Sequence, residues 1–384
     1  MTGSAPGARE FGLSSTARTV ITRGEGAYLF DRDGRRFVDL GASLGVGNLG
    51  HSNPRIVAAI QRQAAQLLHV GSALTTPARE AFVARLLGLM PTGLDRVFLS
   101  NSGTEAMETA IKIARSATGR PRTVAMMRGF HGRTMGSLSA TWRRELREPF
   151  EPLLSGFAHV PFNDRDRLRE AVNDETAAVL IEVVQGEGGV HVATEAFLRE
   201  ARAVCDAHGA LLVFDEIQTG MGRTGRRWAF ERFGLLPDVL VLAKSLAGGI
   251  PIGATVTRSD IEERFRGTLH STFGGNPLAC AAGLAALDEL VQGRWEEHAE
   301  RLGSSVAERL AGVAAGRVRE IRGLGLMWGV EVRERAAPYL ERLRERGYLA
   351  SSAGSQVIRL LPPLVIDESD WLAGLDALAE VLSE

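Results

Sequence analysis

Lysine is almost absent from this sequence. The 384 residues include 43 arginines but two lysines, Lys112 and Lys244. Arginine stays protonated and is a poor nucleophile, whereas a lysine amine can lose its proton and form a Schiff base with an aldehyde. A preference for arginine codons explains the scarcity but not the position of Lys244. That residue follows the apolar run 239–243 and precedes the glycine-rich segment 248–253, which predicts a buried strand, one reactive amine and a turn.

Cysteines and long apolar runs are scarce as well. Cys205 and Cys280 show no metal-ligand spacing, and two thiols in a chain this long fit a reducing cytosol better than a disulfide framework. No apolar stretch approaches the roughly 20 residues needed to cross a bilayer, and residues 1–10 lack the apolar core of a secretory signal. The formal net charge of −1 gives no reason to expect nucleic acid or membrane as partner. We therefore expect a soluble, cytoplasmic protein without a metal site.

Apolar segments alternate with amphipathic helical stretches from about residue 54 onwards. This alternation predicts an α/β fold with a mostly parallel sheet that is covered on both faces. Before it, residues 26–40 alternate apolar and polar side chains around the turn 31–34, which predicts a hairpin. The strands expected in the sheet are 96–100, 123–127, 178–184, 210–214 and 239–243.

The remaining patterns predict a second, smaller unit. Two long helical stretches are expected between residues 276 and 316, followed by a mixture of strands (325–332 and 357–361) and helices (336–346 and 368–383). We therefore expect a large domain and a small α+β domain, with the N-terminal hairpin packing on the small one. The predicted bounds are 1–50 for the N-terminal segment, 51–290 for the large domain and 291–384 for the small domain.

Three segments place candidate site residues at the carboxyl ends of expected strands, where such sheets bind ligands. Residues 100–106 (SNSGTEA) leave a strand and open a helix, so they suit a phosphate; an ordinary N-cap by Thr104 is the alternative. Asp215 follows a second strand, where a carboxylate can pair with a cationic ring nitrogen or cap the next turn. Lys244 follows a third. A phosphate cradle, an acid for a pyridinium and a Schiff-base lysine together indicate a pyridoxal-phosphate site.

Residues 220–225 (GMGRTG) match the dinucleotide-binding pattern G-x-G-x-x-G. Their context argues against that function, because five residues separate them from the preceding strand and no clear apolar helix follows. The next acid, Asp238, precedes a strand, which is the wrong place for a ribose contact. The sequence therefore disfavours a nicotinamide site.

Six ordered segments resemble the class III aminotransferases, which are fold-type-I pyridoxal-phosphate enzymes. The similarity covers nearly the whole chain and is greatest to the acetylornithine and carrier-protein-linked lysine-biosynthesis aminotransferases. Two departures occur: Val183 replaces the usual proline after Glu182, and 245–249 (SLAGG) replaces a more glycine-rich run. The six matching segments are GEGA at 24–27, NLGH at 48–51, FHGRT at 130–134, QGEGG at 185–189, STFGGNP at 271–277 and VIRLLPPL at 357–364.

The resemblance implies a set of cofactor-binding residues. Lys244 would form the Schiff base and move the proton, Asp215 would hold the ring nitrogen protonated, and Gln218 would bind the phenolic oxygen. Thr272 would reach the site from the neighbouring subunit, which implies a homodimer with shared active sites. Lys112 is assigned a structural role. The other cofactor-binding residues implied by the resemblance are Ser102, Gly103 and Thr104 at the phosphate, and Phe130 and His131 at the ring.

The resemblance also implies how substrates bind. Arg359 would clamp the α-carboxylate of glutamate through a bidentate pair, and Glu187 would mask Arg359 when the ω-amine substrate binds. Arg133, with Ser271 near it, would take the α-carboxylate of the blocked substrate. Without the family, an exposed strand arginine at 359 and a loop arginine at 133 are the simpler interpretations.

The sequence thus predicts an aminotransferase that moves an amino group between glutamate or 2-oxoglutarate and the terminal aldehyde of a semialdehyde. The α-amine of that substrate would be blocked by acetyl or by a small acidic carrier protein. Alternatives are 4-aminobutyrate or ornithine transamination, aminomutase or racemase chemistry, and a non-catalytic cofactor-binding module. Two arginine-rich stretches are candidates for meeting the carrier, or are solvated helix faces: Arg143, Arg144 and Arg147, and Arg165, Arg167 and Arg169.

Overall fold

The computed structural model describes residues 19–71, 73–313 and 316–384. Its centre is a seven-stranded sheet in which six strands run in one direction and Gly253–Thr257 runs antiparallel to both of its neighbours. All five expected strands are present, with small shifts at their ends. In spatial order the strands are Arg96–Ser100, Gly253–Thr257, Val239–Leu242, Leu211–Asp215, Thr176–Ile181, Arg122–Met126 and Phe157–Val160.

Two details of the sheet differ from the expectation. Gly248 and Gly249 adopt positive φ values of 58° and 112°, which L side chains rarely adopt, and the chain reverses there to form the unpredicted antiparallel strand. The strand expected at 178–184 ends at Ile181, and Val184–Gln185 instead pairs with His191–Val192 in a separate hairpin. Glu182 lies at this break.

The helix after the first strand of the sheet shows how local sequence sets the helix ends. Helix Gly103–Thr118 begins where the Ser102 side chain accepts a hydrogen bond from the Glu105 N–H at 3.3 Å, and it ends at Gly119 with φ +70°. These are the preferred N-cap and C-terminal residues. The other α-helices are Ala42–Gly45, Pro54–Ala64, Pro77–Gly88, Met135–Ala140, Arg144–Arg147, Arg165–Ala171, Glu195–His208, Ser259–Arg264, Pro277–Gly293, Trp295–Gly303, Ser305–Leu310, Ala337–Glu345 and Glu368–Ser383.

One of two smaller four-stranded sheets combines strands from both ends of the chain, and the other contains only strands from residues 318–360. The expected N-terminal hairpin pairs Tyr28–Asp31 with Arg36–Asp39, and Ile21–Glu25 adds a third strand. Arg36–Asp39 also pairs in parallel with Tyr348–Leu349. The second small sheet is antiparallel and contains, in order, Val318–Leu324, Met327–Val332, Val357–Leu360 and Ser351–Ala353.

The bounds proposed for the domains, at residues 50 and 290, stay a prediction. In the part of the chain that the structure describes, no helix is long and apolar enough to cross a membrane. Within those same residues, no group of three or more histidine, cysteine, aspartate or glutamate side chains is placed to hold a metal ion.

Candidate active site

A cavity of about 430 Å³ lies at the carboxyl ends of the parallel strands. This is the edge of the sheet at which α/β folds bind ligands. Ten residues that the sequence singled out line this one cavity: Ser102, Gly103, Thr104, Phe130, His131, Arg133, Glu187, Asp215, Gln218 and Lys244.

Lys244 lies at the cavity immediately after the buried strand Val239–Leu242. Its φ of +46° places a non-glycine residue in the left-handed region, a strained conformation that is concentrated at functional sites. Burial lowers the pKa of the Lys244 amine below its ordinary value, and the carboxylates of Glu187 and Asp215 oppose this shift. A buried amine with a lowered pKa is available as a nucleophile.

Asp215 ends the strand Leu211–Asp215 and is held by two hydrogen bonds. Its Oδ2 lies 2.8 Å from Nδ1 of the buried His131, and its Oδ1 accepts from the Ile217 backbone N–H at 3.0 Å. Burial of His131 disfavours its charged form, but the hydrogen bond to Asp215 and the charges of Asp215 and Glu182 outweigh it and raise the pKa of His131. The imidazole therefore fixes a carboxylate that faces the cavity.

Sequence analysis did not identify Glu182, which also lines the cavity. Its Oε1 accepts from the Phe130 N–H at 2.8 Å and its Oε2 accepts from the Gly186 N–H at 3.1 Å. Burial raises the pKa of Glu182 to about 7, while His131 opposes the shift. An acid that directly follows an apolar strand was the available signal, as it was for Asp215.

The phosphate end of the site is the N-terminus of helix Gly103–Thr118. Ser102, and not Thr104, is the N-cap. A Cβ atom added to Gly103 would lie 2.8 Å from Cδ1 of Ile217, which lines the cavity, so glycine keeps this helix end close to the cavity wall. Backbone N–H groups of the first helical turn remain available there for an anion.

The polar atoms of the cavity fit pyridoxal phosphate. Nε2 of His131 and Oε1 of Gln218 are buried without a hydrogen-bond partner within the described residues, and Gln218 Nε2 donates to the Leu44 carbonyl at 3.0 Å. The cavity therefore combines an anion-binding helix end, an aromatic side chain, a carboxylate and a buried amine. This set of groups matches a phosphate, an aromatic ring, a ring nitrogen and an aldehyde.

Arg359 is fully buried on strand Val357–Leu360, so the interpretation as an exposed arginine is wrong. Its Nη1 lies 2.6 Å from Oε1 of Glu187 and donates to the Gly186 carbonyl at 3.0 Å. Its Nη2 is buried and makes no hydrogen bond to the described residues. Glu187 lines the cavity, so the ion pair lies at the cavity wall.

The three other substrate and inter-subunit residues lie farther out. Arg133 is exposed at the cavity edge. Ser271 Oγ accepts from Nδ2 of Asn101, a cavity residue, at 3.3 Å. Thr272 is exposed and does not line the cavity of its own chain.

Comparisons with known proteins identify the family of this chain. The model of the family "Aminotransferase class-III" matches residues 13–382. Acetylornithine aminotransferase of Methanopyrus kandleri is 49% identical over 94% of each chain. The [LysW]-aminoadipate semialdehyde transaminase of Deinococcus radiodurans is 45% identical over 97% of this chain and 88% of its own. The crystal structure of ornithine aminotransferase from Toxoplasma gondii superposes with a TM-score of 0.91 and 34% identity, over 97% of this chain and 92% of the other.

Fold and site together define a fold-type-I pyridoxal-phosphate enzyme, so the predicted fold class and cofactor are confirmed. More narrowly, this chain belongs to the class III aminotransferases. The dinucleotide pattern at 220–225 forms turns after the strand and opens no helix.

Proposed function

We propose that the protein exchanges an amino group between glutamate or 2-oxoglutarate and the terminal aldehyde of an α-amino-blocked semialdehyde. The observation that carries this proposal is the ion pair between the buried Arg359 and the partly exposed Glu187, close to the Lys244 amine. The block is acetyl or a small acidic carrier protein, in line with the names of the Methanopyrus and Deinococcus relatives. Such a block prevents a short semialdehyde from cyclising onto its own amine.

Pyridoxal phosphate, when bound, supplies an aldehyde that condenses with amines and a cationic ring that accepts electron density. Asp215 would keep the positive charge on the ring nitrogen, because His131 and the Ile217 N–H hold its carboxylate in place. Gln218 would bind the phenolic oxygen. The other proposed contacts are the phosphate with Ser102, Gly103 and Thr104, and the ring face with Phe130 and His131.

Lys244 has two tasks in this proposal. Its lowered pKa provides the neutral amine that reacts with an aldehyde. Once the substrate amine has taken its place, Nζ would move a proton between the substrate carbon that bears the amine and C4′, the aldehyde carbon of the cofactor, as a general base and then a general acid.

Arg359 and Glu187 would let one cavity accept two substrates. With the ω-amine substrate, Glu187 keeps Arg359 neutralised, as in the 2.6 Å pair. With glutamate, Glu187 would swing away and Arg359 would bind the α-carboxylate through two N–H groups. Arg133, with Ser271 near it, would bind the α-carboxylate of the blocked substrate.

We infer that the enzyme is a cytoplasmic homodimer. Thr272 would complete the phosphate site of the neighbouring subunit, since it is exposed in its own chain. Large apolar side chains are exposed close to Thr272. The side chain of Phe273 is 58% exposed and contacts the ring of His69, and Leu68, next to His69 in the sequence, is exposed as well. Apolar exposure of this kind marks protein interfaces. A reducing compartment fits the free thiols of Cys205 and Cys280.

The two lysines of the chain provide a matched test. Purified Lys244→Arg, Lys112→Arg and wild-type proteins are loaded with cofactor, reduced with borohydride and digested for peptide mass analysis. We expect wild type and Lys112→Arg to carry the cofactor on Lys244 and to lose the 2-oxoglutarate-dependent activity only after reduction. Lys244→Arg should show no adduct and no turnover. An unmodified Lys244 in the reduced wild-type protein, or turnover that does not require glutamate or 2-oxoglutarate, would overturn the proposal.

A further inference from the structure

A second cavity of about 500 Å³ opens beside the first. The two cavities share Phe130, Arg133 and Glu187 in their walls, so they adjoin at these three side chains. Its wall contains five arginines, against two glutamates, in a chain whose formal net charge is −1. We call this group the arginine vestibule: Arg128, Arg133, Arg143, Arg144 and Arg147.

Three of the five guanidinium groups have no carboxylate partner among the residues that the structure describes. Arg144 forms an ion pair with Glu148 at 3.1 Å, and Arg128 contacts the His191 ring. By contrast, Arg133, Arg143 and Arg147 form no ion pair within residues 19–71, 73–313 and 316–384. Nε of Arg147 is moreover buried without a hydrogen-bond partner in that same part of the chain. Because the cavity wall carries five guanidinium groups and two carboxylates, and Glu187 is paired with Arg359, positive charge is in excess there.

The second arginine-rich stretch of the sequence behaves differently. On helix Arg165–Ala171, Arg167 pairs with Glu170 at 2.7 Å, and Arg165 and Arg169 both pair with Glu200 at 3.1 and 2.8 Å. All three side chains are exposed and line neither of the two cavities. This stretch is a neutralised, solvated helix face, so arginine content alone does not account for the vestibule.

We propose that the arginine vestibule binds a blocking group that carries carboxylates of its own. This inference rests on the proposed function, in which Arg133 takes the α-carboxylate of the substrate itself. Arg143 and Arg147 are then left facing whatever is attached to the α-amine. A neutral acetyl group supplies no charge for them, whereas a dicarboxylic acyl group or an acidic peptide does, and charge-assisted hydrogen bonds to guanidinium are among the stronger polar contacts.

The test compares ornithine blocked on its α-amine by acetyl with ornithine blocked by succinyl, which adds one carboxylate. Both donate the ω-amine to 2-oxoglutarate. For wild-type holoenzyme at low salt we expect kcat/KM to be about tenfold higher for the succinylated substrate. The preference should shrink at about 1 M salt, where charges are screened beyond about 3 Å. A third substrate is ornithine blocked by an acetylated tri-glutamyl peptide. Its kcat/KM should be higher still if the natural blocking group is an acidic peptide, and should show no further increase if that group is a small acyl group.

Variants locate the effect. In the double variant Arg143→Gln/Arg147→Gln, the succinyl-to-acetyl ratio of kcat/KM should fall from about ten towards one. The matched control, Arg167→Gln, removes an arginine that is already paired on the solvated helix and should keep the ratio of wild type. A wild-type ratio of one with both substrates active would overturn this inference and leave the proposed function standing. Turnover of none of the three blocked substrates would overturn both.

Discussion

Individual side chains of the site owe their protonation to different causes. Burial lowers the pKa of Lys244 and raises that of Glu182, because a poorly solvated site disfavours charge of either sign. In His131 the hydrogen bond to Asp215, together with nearby negative charge, outweighs burial. One small cavity therefore combines an amine whose pKa is lowered with a histidine–aspartate hydrogen bond, groups that suit amine chemistry with a cationic ring.

Glu182 gives a prediction about pH and stability. Its pKa is raised to about 7 from an ordinary value of 4.5. The stabilisation that its protonated form provides is therefore complete below about pH 4.5 and is lost as the pH rises through about 7. Glu182→Gln cannot ionise, so between pH 5 and 8 its free energy of unfolding should rise relative to wild type by about 2 kcal/mol. Denaturant or thermal unfolding of both proteins at the two pH values measures this difference, and a gap that does not change with pH would contradict it.

The sequence also shows what can be predicted at the level of single residues. Lys244 and Asp215 stand directly after apolar runs, so strand position and chemistry coincide and both could be predicted to lie at the sheet edge. Glu182 has the same position, but the strand was expected to continue through it. Whether Arg147 forms an ion pair depends on side chains from segments distant in the sequence, so no local sequence pattern predicts it.

At the scale of elements, prediction succeeded where the local sequence determines the structure. Helix Gly103–Thr118 carries its own cap residues and apolar face, and it begins within the segment 100–106 that was expected to open a helix. Strand Gly253–Thr257 was not predicted, because a mostly parallel sheet was expected. The chain reverses at Gly248 and Gly249, and the strand pairs antiparallel to both of its neighbours. The unpredicted strand Phe157–Val160 at the sheet edge is four residues long and only partly buried.

Helix ends provide a prediction about packing. Gly303 is the last residue of helix Trp295–Gly303, and an added Cβ would lie 2.1 Å from the Gly325 carbonyl oxygen, a backbone atom that cannot rotate away. Gly303→Ala should therefore destabilise the protein by about 2 kcal/mol through overpacking. Gly88, the last residue of helix Pro77–Gly88, has open space at the same position. Gly88→Ala should be neutral or slightly stabilising; equal unfolding midpoints for the two variants would refute the packing argument.

At the scale of the whole molecule, the active site depends on contacts between segments far apart in sequence. The side chain of Arg223 is completely buried and joins three of them. It donates to Asn48 Oδ1 at 2.6 Å, to the Leu326 carbonyl at 2.9 Å and to the Pro362 carbonyl at 2.6 Å. Burial lowers the pKa of Arg223 to about 9. The segment 220–225 that resembles a nucleotide-binding loop thus acts as a structural tie.

The variant Arg223→Met tests how much these three hydrogen bonds stabilise the protein. Methionine fills much of the same volume but leaves three buried acceptors without donors, at about 1 kcal/mol or more each, so the unfolding midpoint should fall by roughly 5 °C. Because Pro362 lies three residues beyond Arg359, the KM for glutamate should rise as well, while Lys244 still takes up the cofactor. The control is Arg226→Met, since Arg226 is exposed and its guanidinium bonds to the neighbouring Gly225 carbonyl at 2.8 Å. Equal unfolding midpoints for Arg223→Met and Arg226→Met would show that the three hydrogen bonds of Arg223 do not stabilise the contacts between these segments.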